Sequence, residues 1–534
     1  MPKNKKIYSR AIPTEPSPAR SGRSLSDVFY PLACGASLLV VFFLAFFPVQ
    51  SEDIYMYLSL GRLFAATGHF PATDPFLFSI TGYHWNILHE WGNHLLWYGL
   101  FVLGKWNALI IFKTLVILAS AALPAVVAWR MKFRSPVVPV LILLAGYAAS
   151  CRFIERASLF SELFTPLVLT ILLLQIRRPT RLPLVLPAIF LVWANFHPGF
   201  HIGLMLLALW VLFNIKDWRR PQVRIVAIAT LASAAACFVN PKGAGGFFFP
   251  LRTVLSTGWE FSRQYNNEWM PTLSRMFASM PEVKIFLLLV ICTASLLIGV
   301  RKSRPWFETA AFLFLVYLGL SAIRFMPVSA FSLSVLSTYL AARSGFMSLA
   351  HPEKPLHTLA QWLTPATLAL GLIIALKIAF SGYTTFMGPR HFGLGADTFS
   401  QPVMAADFLD AIDLKTPLFN QQDFGCYLAW HWNGGRKIFY HGFVDDMQFY
   451  SNDYLAVNRS QEDFDRIVNK YGIGAFMLRR YDMTSPRQPL IYSLLLSRPE
   501  WHLVYADSIA MIFLKDLPEN REAISRYEFP MSEE

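Results

Sequence analysis

The chain of 534 residues is 54% apolar and only 15% charged, and apolar runs of roughly twenty residues, the length needed to cross a bilayer, recur along it. This composition excludes an ordinary soluble globular protein and predicts a polytopic membrane protein. The net charge of +13 does not indicate nucleic-acid binding, because most Lys and Arg residues fall in short clusters between the apolar runs, as the positive-inside rule describes.

The apolar runs and the basic clusters together predict a topology. Residues 1–29 form a basic tail, and the apolar run after it lacks a small-residue cleavage site, so we expect a retained first helix rather than a removed signal peptide. Basic clusters occupy alternate connections, which predicts a cytoplasmic N-terminus and an extracytoplasmic C-terminus. About eleven transmembrane helices are expected, near 30–49, 108–129, 136–150, 159–176, 182–196, 201–215, 223–239, 283–300, 306–322, 325–342 and 362–380.

The first outer loop, residues 51–106, concentrates ionisable groups in a chain that has few of them. It holds Glu52, Asp53, Asp74, His89 and Glu90. It is also rich in aromatic residues, so we predict amphipathic helices lying on the membrane surface, with a site at the lipid boundary. The alternatives are local: an acid at 52 or 53 can cap the helix that follows, and an Asp before Pro can shape a turn.

Other outer connections bring ionisable groups of both signs to the same face of the membrane. Charged groups in such positions are costly, which makes them functional candidates. Arginines at span ends can hold phosphate oxygens, although they often only extend toward the interface. Two histidines in NFHPGFH lack acidic partners for a metal, so hydrogen bonding is the favoured interpretation. These residues are Arg152, Glu155, Arg156, His197, His201, Lys242, Glu268 and Arg324.

Such a set of residues suits one reaction in particular. Glycosyl transfer from a lipid-phosphate donor needs a carboxylate that deprotonates or orients the acceptor hydroxyl, and cations that stabilise the departing phosphate.

Five scattered cysteines show neither disulfide nor zinc spacing, and HEW at 89–91 lacks the second His of a zinc protease motif.

Residues 381–534 lose the long apolar runs and predict a separate soluble α/β domain. Strands are expected at 417–420, 436–442 and 473–480, with a terminal hairpin over 501–516. A helix is expected in SQEDFDRIVNKYG, because Ser460 can cap its start and Gly472 follows its last apolar residue. No GxGxxG or GxxxxGKS motif supports a nucleotide pocket.

The first outer loop also resembles a known superfamily. The segment SEDIYMYLSLGRLFAATGHFPATDPFLFS, followed by HEW, resembles the first loop of the GT-C fold glycosyltransferases, which include protein mannosyltransferases and aminoarabinose transferases that use polyprenyl-phosphate sugars. Later segments, among them ERASLFSELF, LVWANFHPGFHIG, VNPKGAGGFFFPL and IRFMP, are similar to a bacterial group of this superfamily without an assigned substrate. The resemblance implies a mostly α polytopic fold with a C-terminal α/β domain.

The resemblance also implies roles for particular residues. The family's two outer acids fall on Asp53 and Asp74, which become the catalytic candidates, whereas the WWD motif of oligosaccharyltransferases is absent. His441 and Phe443 stand where the similar group carries a charged pair. The resemblance implies little or no metal dependence, assigns no metal ligand, and leaves a divalent metal open. The substrate-binding candidates are Glu52, His89, Glu90, Arg152, Arg156, His197, Lys242 and Arg324.

The favoured hypothesis is therefore an inner-membrane glycosyltransferase with an extracytoplasmic active face. Its expected partners are a lipid-linked sugar donor and membrane lipids, with no nucleic acid, and its oligomeric state stays open. The alternative is a non-catalytic polytopic scaffold, assembly factor or carrier. Carriers usually place polar or broken helices near mid-membrane, whereas here the ionisable residues gather at one face.

Overall fold

The computed structural model describes residues 25–84, 87–177, 179–255, 266–354, 356–397, 401–481 and 489–529. Most of the basic tail expected at 1–29 lies outside the described residues, which begin with the first helix. Helices at or near each of the predicted apolar spans form one bundle, and the C-terminal third of the chain packs against one end of it.

The described part of the chain is mostly helical, and its apolar helices coincide with the spans that the sequence predicts. Seven helical segments have the length and composition to cross a membrane, and four apolar helices are shorter. The number of membrane crossings therefore stays a prediction. The bundle helices are α1 (Leu25–Ala45), α3 (Trp91–Arg130), α4 (Val137–Ala149), α5 (Ser158–Arg177), α6 (Leu186–Phe196), α7 (Phe200–Asn214), α8 (Pro221–Ala236), α10 (Pro281–Gly299), α11 (Trp306–Ser321), α12 (Met326–Ser344) and α13 (His357–Ser381), while α2 (Asp53–Thr67) and α9 (Ala244–Leu255) lie in connections.

Helix α12 forms the centre of the bundle. Every residue from 326 to 341 is buried, and the helix packs against α3, α4, α5, α10 and α11. Its many Ser and Ala residues let neighbouring helices approach closely, since small side chains bring helix backbones together in a membrane. Ser337 shares a 2.7 Å hydrogen bond with Thr293 of α10, and Ser329 donates one of 2.9 Å to the carbonyl of Leu315 in α11.

Helix α2 differs from the amphipathic surface helix that the sequence predicts. Residues 54–61 are all buried, and because an α-helix turns once every ~3.6 residues, this run covers every side of it. The helix lies between α3 of the bundle and α15 of the C-terminal region. Its aromatic residues pack against protein: the ring of Tyr55 meets Trp106 on one side and Tyr427 on the other.

The C-terminal region contains helices and strands built around a four-stranded sheet, and its being a separate soluble domain stays a prediction. Its helices are α14 (Val403–Ala411), α15 (Gln422–Trp432), α16 (Gln461–Tyr471), α17 (Leu490–Ser497) and α18 (Arg521–Tyr527), with a short helical segment at Met447–Phe449. A small hairpin, β1 (Tyr383–Thr385) and β2 (Gly388–Arg390), joins it to the bundle. The main sheet contains β3 (Leu418–Asn420), β4 (Ala475–Arg479), β5 (Trp501–Ala506) and β6 (Ala510–Lys515) in the order β3-β4-β6-β5, parallel between β3 and β4 and antiparallel elsewhere.

Most of the predicted elements of this region are present. The helix α16 begins with Ser460, whose hydroxyl accepts a hydrogen bond from the Asp463 backbone N–H, and ends at Gly472 in the left-handed conformation. The prediction of a strand at 436–442 is wrong. That segment makes a single bridge, from Ile438 to Leu77 of the first outer loop, and the side chain of Asn420 satisfies its backbone in place of a neighbouring strand.

The first outer loop is thereby joined to the C-terminal region. The backbone N–H of Ile438 donates to the carbonyl of Phe76 at 2.9 Å, and the N–H of Phe78 donates to the carbonyl of Ile438 at 3.1 Å. Beside this bridge, His441 Nε2 lies 2.7 Å from Asp74 Oδ2, and both side chains are fully buried. The loop and the C-terminal region therefore form a continuous structure above the bundle.

Buried charges fix the connection between α4 and α5, residues 150–157. Arg390 of β2 is buried and donates to the carbonyl oxygens of Ser150 and Cys151, at 2.5 and 3.4 Å. On the same connection, Glu155 pairs with Lys113 of α3 at 2.7 Å, with neither side chain exposed. Since a buried charge is tolerated only when it is paired or hydrogen-bonded, these contacts hold the connection in one position.

Candidate functional site

The predicted site residues meet where several connections reach the same end of the bundle. Four of these connections contain a one-turn 3₁₀ helix, and each turn carries one charged residue of the site. The first residue of α2 adds Asp53. The four turns are Leu88–Glu90 with Glu90, Ser150–Arg152 with Arg152, Asn267–Trp269 with Glu268, and Ile323–Phe325 with Arg324.

An ion-pair network forms the centre of this site. Arg156 Nη2 lies 2.9 Å from Asp53 Oδ2, and Arg156 Nη1 pairs with Glu268 Oε1. Arg152 Nη1 lies 3.1 Å from the same Glu268 oxygen. Two arginines from the α4–α5 connection thus share one glutamate and hold one aspartate, which brings together four residues from three distant parts of the sequence.

The protonation of this network follows from burial and pairing. Burial raises the pKa of Asp53, and the guanidinium of Arg156 opposes that shift. For Glu268, the attraction of Arg152 and Arg156 outweighs burial and holds its pKa well below the usual range. The same acids raise the pKa of Arg156 further. Glu268 is therefore held as an anion between two cations, whereas Asp53, with its side chain 26% exposed, pairs with one cation.

The Glu52 side chain does not cap helix α2, as one alternative from the sequence suggested. Glu52 stands before α2 with helical backbone angles and makes no side-chain cap bond, while Asp53 points to Arg156. Burial raises the pKa of Glu52 to about 8, and the carboxylates of Asp423 and Asp53 add to this effect. Glu52 therefore lies between the network and the C-terminal region.

Arg324 is held beside the network by an aromatic ring. Its guanidinium lies 3.9 Å from the ring centroid of Trp269, the residue after Glu268, in a cation–π arrangement. Within the described residues it makes no hydrogen bond and no ion pair. The N–H groups of Arg324 are therefore available to a ligand, and Trp269 fixes the plane in which they point.

Glu90 and His89 bring the turn before α3 into the site. The hydroxyl of Tyr57 donates to Glu90 Oε2 at 3.4 Å, and His89 Nε2 lies 3.6 Å from Glu90 Oε1. Trp91 Nε1 donates to Asn195 at 2.6 Å, which holds the start of α3 against the end of α6. That contact brings Glu90 near His197 in the α6–α7 turn.

Lys242 lies at the edge of this arrangement. It borders a cavity of about 410 Å³ together with Gly245, Phe249 and Arg252. The ring of Phe249 lies 4.6 Å from that of His89, which connects the cavity to the network. Lys242 is therefore a neighbour of the site rather than part of its centre.

Asp74 is a predicted catalytic residue that the structure does not bring to the network. Its Oδ1 accepts hydrogen bonds from the backbone N–H groups of Phe76 and Leu77, at 2.7 and 3.3 Å, and its Oδ2 contacts His441. Both oxygens are used, and the side chain is inaccessible to solvent. The turn-forming alternative accounts for Asp74, and we do not retain it as a catalytic candidate.

Several contacting residues were not assigned to the site from the sequence. Trp269 follows Glu268 in the NEW segment, Tyr57 reaches Glu90 from α2, and Ser161 of α5 contacts His197. Ser161 and Tyr57 are neutral residues in apolar surroundings, so composition gave no signal for them. Trp269 could have been suggested by the general preference of guanidinium groups for indole faces.

The carboxylates of the described site do not fit a metal centre. Within the described ranges, no three side chains of the types His, Cys, Asp and Glu gather closely enough to hold a metal ion. Asp53 and Glu268 face arginine guanidinium groups rather than each other. We therefore derive no step through a metal.

Comparisons with known proteins identify the fold. No family model matches the sequence, and no curated protein matches it. Among solved structures, it is similar to the oligosaccharyltransferase AglB from Archaeoglobus fulgidus, in complex with an inhibitory peptide and a dolichol-phosphate, with 11% identity over 85% of this chain and 69% of that chain and a TM-score of 0.54. The chain therefore has the GT-C fold and is a membrane protein.

Two further solved structures match with lower TM-scores. They are ArnT from Cupriavidus metallidurans bound to undecaprenyl phosphate, with 12% identity over 93% of this chain and 99% of that chain and a TM-score of 0.47, and the arabinofuranosyltransferase AftD from Mycobacteria, with 14% identity over 92% and 42% and a TM-score of 0.49. At these identities the likeness concerns the fold alone.

Proposed function

We propose that this protein is an inner-membrane glycosyltransferase that moves a sugar from a polyprenyl-phosphate donor to an acceptor on the extracytoplasmic side. The observation that carries the proposal is the accessible Asp53 carboxyl group, held 2.9 Å from Arg156 where Arg152 and Arg324 also converge. A carboxylate beside several guanidinium groups offers both a proton acceptor and a binding site for a departing phosphate.

In this proposal Asp53 is the general base. As the acceptor oxygen bonds to the anomeric carbon, its hydroxyl proton passes to Asp53, and the bond between the anomeric carbon and the phosphate oxygen breaks with its electron pair on phosphate. Arg156 orients the Asp53 carboxylate. Because burial raises the pKa of Asp53 while Arg156 opposes the shift, this carboxyl group can be ionised before the reaction and accept a proton during it.

The phosphate would be bound by Arg324 and Arg152. Arg324 already presents its N–H groups, since its guanidinium is stacked on Trp269 and pairs with no acid in the described part of the chain. Arg152 is 1% exposed; its Nη1 pairs with Glu268, while its Nε has no hydrogen-bond partner in the described part of the chain. A guanidinium with unsatisfied donors binds phosphate strongly, because charge-assisted hydrogen bonds are about twice as strong as neutral ones.

The other candidates take supporting roles. Glu90 and His89 face the network from the start of α3, where they could contact the sugar, and Glu52 lies on the side of the C-terminal region, where an acceptor could enter. Lys242 and the neighbouring cavity lie on the side where a lipid phosphate could approach. The GT-C fold shared with AglB, whose structure contains a dolichol-phosphate, supports a donor of this chemical class.

The test is transfer by the purified full-length protein. Polyprenyl phosphates carrying different radiolabelled sugars are supplied with an envelope glycan fraction, and label in the glycan is measured together with released polyprenyl phosphate. Release that depends on both acceptor and Asp53 would support the proposal. If the protein neither binds undecaprenyl phosphate nor transfers any sugar of the panel, the alternative of a non-catalytic scaffold on a GT-C fold is the better account.

A further inference from the structure

The imidazole of His197 is held on one side by a set of buried hydrogen bonds. His197 lies in the turn between α6 and α7 and is 8% exposed. Its Nδ1 atom lies 2.6 Å from the Ser161 hydroxyl oxygen and 3.1 Å from the backbone nitrogen of Gly199. The second nitrogen, Nε2, makes no hydrogen bond within the described residues and is not sealed from solvent.

These contacts determine which nitrogen carries the proton. The backbone N–H of Gly199 can only donate, so Nδ1 must accept. The indole N–H of Trp193 donates to Ser161 Oγ at 2.8 Å, which leaves the Ser161 hydroxyl hydrogen free to point at Nδ1 as well. Nδ1 is therefore unprotonated, and in the neutral ring the hydrogen lies on Nε2.

Gly199 is required here because no side chain fits at this position, and not because of its backbone conformation. A Cβ atom at this position would lie 2.2 Å from Ser161 Oγ and 2.8 Å from His197 Nδ1. Any larger residue would therefore separate the hydroxyl from the ring. The close approach of three polar groups is thus specified by the sequence of the turn.

The surroundings of His197 favour the neutral ring. Burial lowers its pKa to about 4, the carboxylate of Glu90 opposes this shift, and Arg324, His89 and Arg152 add to it. A protonated ring would also place an Nδ1–H against the Gly199 N–H. His197 is therefore a neutral donor, and the charges of Glu90, Arg324 and Arg152 act on its ring.

We propose that His197 donates a hydrogen bond from Nε2 to a phosphate oxygen of the lipid-linked donor, and that Ser161 and Gly199 are positioning residues that fix its tautomer. The inference rests on the proposed function and adds a third phosphate contact, from a neutral group, to those of the two arginines. A neutral donor suits this place, because it can bind the phosphate without repelling Arg152 and Arg324.

The experiment measures binding of undecaprenyl phosphate to the full-length protein in detergent. His197→Ala removes the donor and should weaken binding by about tenfold to a hundredfold, the usual cost of a hydrogen bond to a charged group. His197→Gln should retain most of the affinity, because its amide nitrogen reaches the position of Nε2, whereas the shorter Asn reaches only that of Nδ1. Ser161→Ala should cause a smaller loss, since Gly199 still donates to Nδ1. His201→Gln, at the start of α7, is the matched control and should bind as wild type does.

The pH dependence separates a neutral from a cationic donor. The ratio of wild-type to His197→Ala affinity cancels the titration of the phosphate itself. If His197 is neutral, this ratio is constant from about pH 6 to 8; a cationic donor would make it rise as the pH falls through the ordinary histidine pKa of about 6.5.

Three outcomes would overturn the inference: equal binding by wild type and His197→Ala, equal binding by the Gln and Asn variants, or a ratio that rises at low pH. If His197→Ala does not fold, the Gln, Asn and Ser161→Ala variants decide the matter. Failure of the wild-type protein to bind undecaprenyl phosphate would instead remove the proposed function itself, so the two failures are distinguishable.

Discussion

Replacing Asp53 by Asn separates catalysis from structure at this site. Asn keeps the size of the side chain and its hydrogen-bonding capacity, and it removes the charge. If Asp53 is the general base, transfer should fall by about 10²–10⁴-fold. At about 1.36 kcal/mol for each tenfold change, this corresponds to roughly 3 to 5 kcal/mol in the activation free energy.

The cost in stability should be far smaller. Arg156 keeps its pairing with Glu268 when Asp53 is neutralised, so no buried cation is left alone. The Asp53 and Arg156 side chains are 26% and 20% exposed, and an ion pair with solvent access contributes about 1 kcal/mol or less to the free energy of unfolding. Loss of the acid at the N-terminus of α2 adds about 0.3–1 kcal/mol.

The assay compares sugar transfer and thermal unfolding of the Asp53→Asn protein with those of wild type. Asp465→Asn is the matched control, because Asp465 forms an ion pair with Arg498 in the C-terminal region, away from the network. The control should lose little in either measurement. Full transfer activity in Asp53→Asn would remove the assignment of the base. A loss of activity that only parallels a loss of folded protein would do the same.

Four further outcomes are expected. Arg324→Gln should weaken undecaprenyl phosphate binding about tenfold or more, measured as for wild type, because it removes a charged hydrogen-bond donor; unchanged affinity would contradict this role. Asp74→Ala and His441→Ala should each lower the melting temperature and show a coupling free energy in a double-mutant cycle, whereas additive losses would mean that the buried contact is not energetically important. Lys113→Met leaves Glu155 as a buried unpaired charge and should destabilise the protein by about 3–5 kcal/mol. Replacing both Lys113 and Glu155 by apolar residues should recover most of that stability. A C-terminal reporter that works only in the cytoplasm should be silent, and an active one would overturn the predicted topology.

The sequence singled out the charged residues of the candidate site for a physical reason. Charges are rare in this chain and costly at a membrane boundary, so those in the outer connections stood out. Arg152, Arg156 and Arg324 could be named for that reason, together with Asp53. The structure brings three of them into one ion-pair network and places Arg324 beside it, although the four come from three separate connections.

The role of Asp74 could not be settled from the sequence. Asp53 and Asp74 lie in the same loop and look alike by composition, but the first reaches an arginine of the α4–α5 connection and the second a histidine of the C-terminal region. The partner, His441, is 367 residues away along the chain. Only the packing of the loop against that region decides which acid remains accessible.

The burial of α2 also results from the packing of the first loop against the C-terminal region. Its aromatic residues predict contact with something apolar, and the membrane surface was the nearest choice that sequence reasoning could make. The structure supplies a different apolar neighbour, since α15 covers the side that lipid was expected to cover. The segment 436–442 was misassigned for a related reason: its backbone pairs with Phe76 and Phe78 of the first loop rather than with a strand of the sheet.

The arrangement of the charges explains why Arg324 can act as the first contact for a phosphate. Each acid of the network already has a partner: Asp53 and Glu268 face Arg156, and Glu90 faces Tyr57. Arg324 pairs with none of them at ion-pair distance in the described part of the chain, although its charge still acts on Glu268. Its position is maintained by Trp269 instead, which competes with no hydrogen bond that a ligand would make. A phosphate can therefore bind Arg324 without first breaking an ion pair, while Arg156 stays with Asp53 and keeps the carboxylate oriented toward the acceptor.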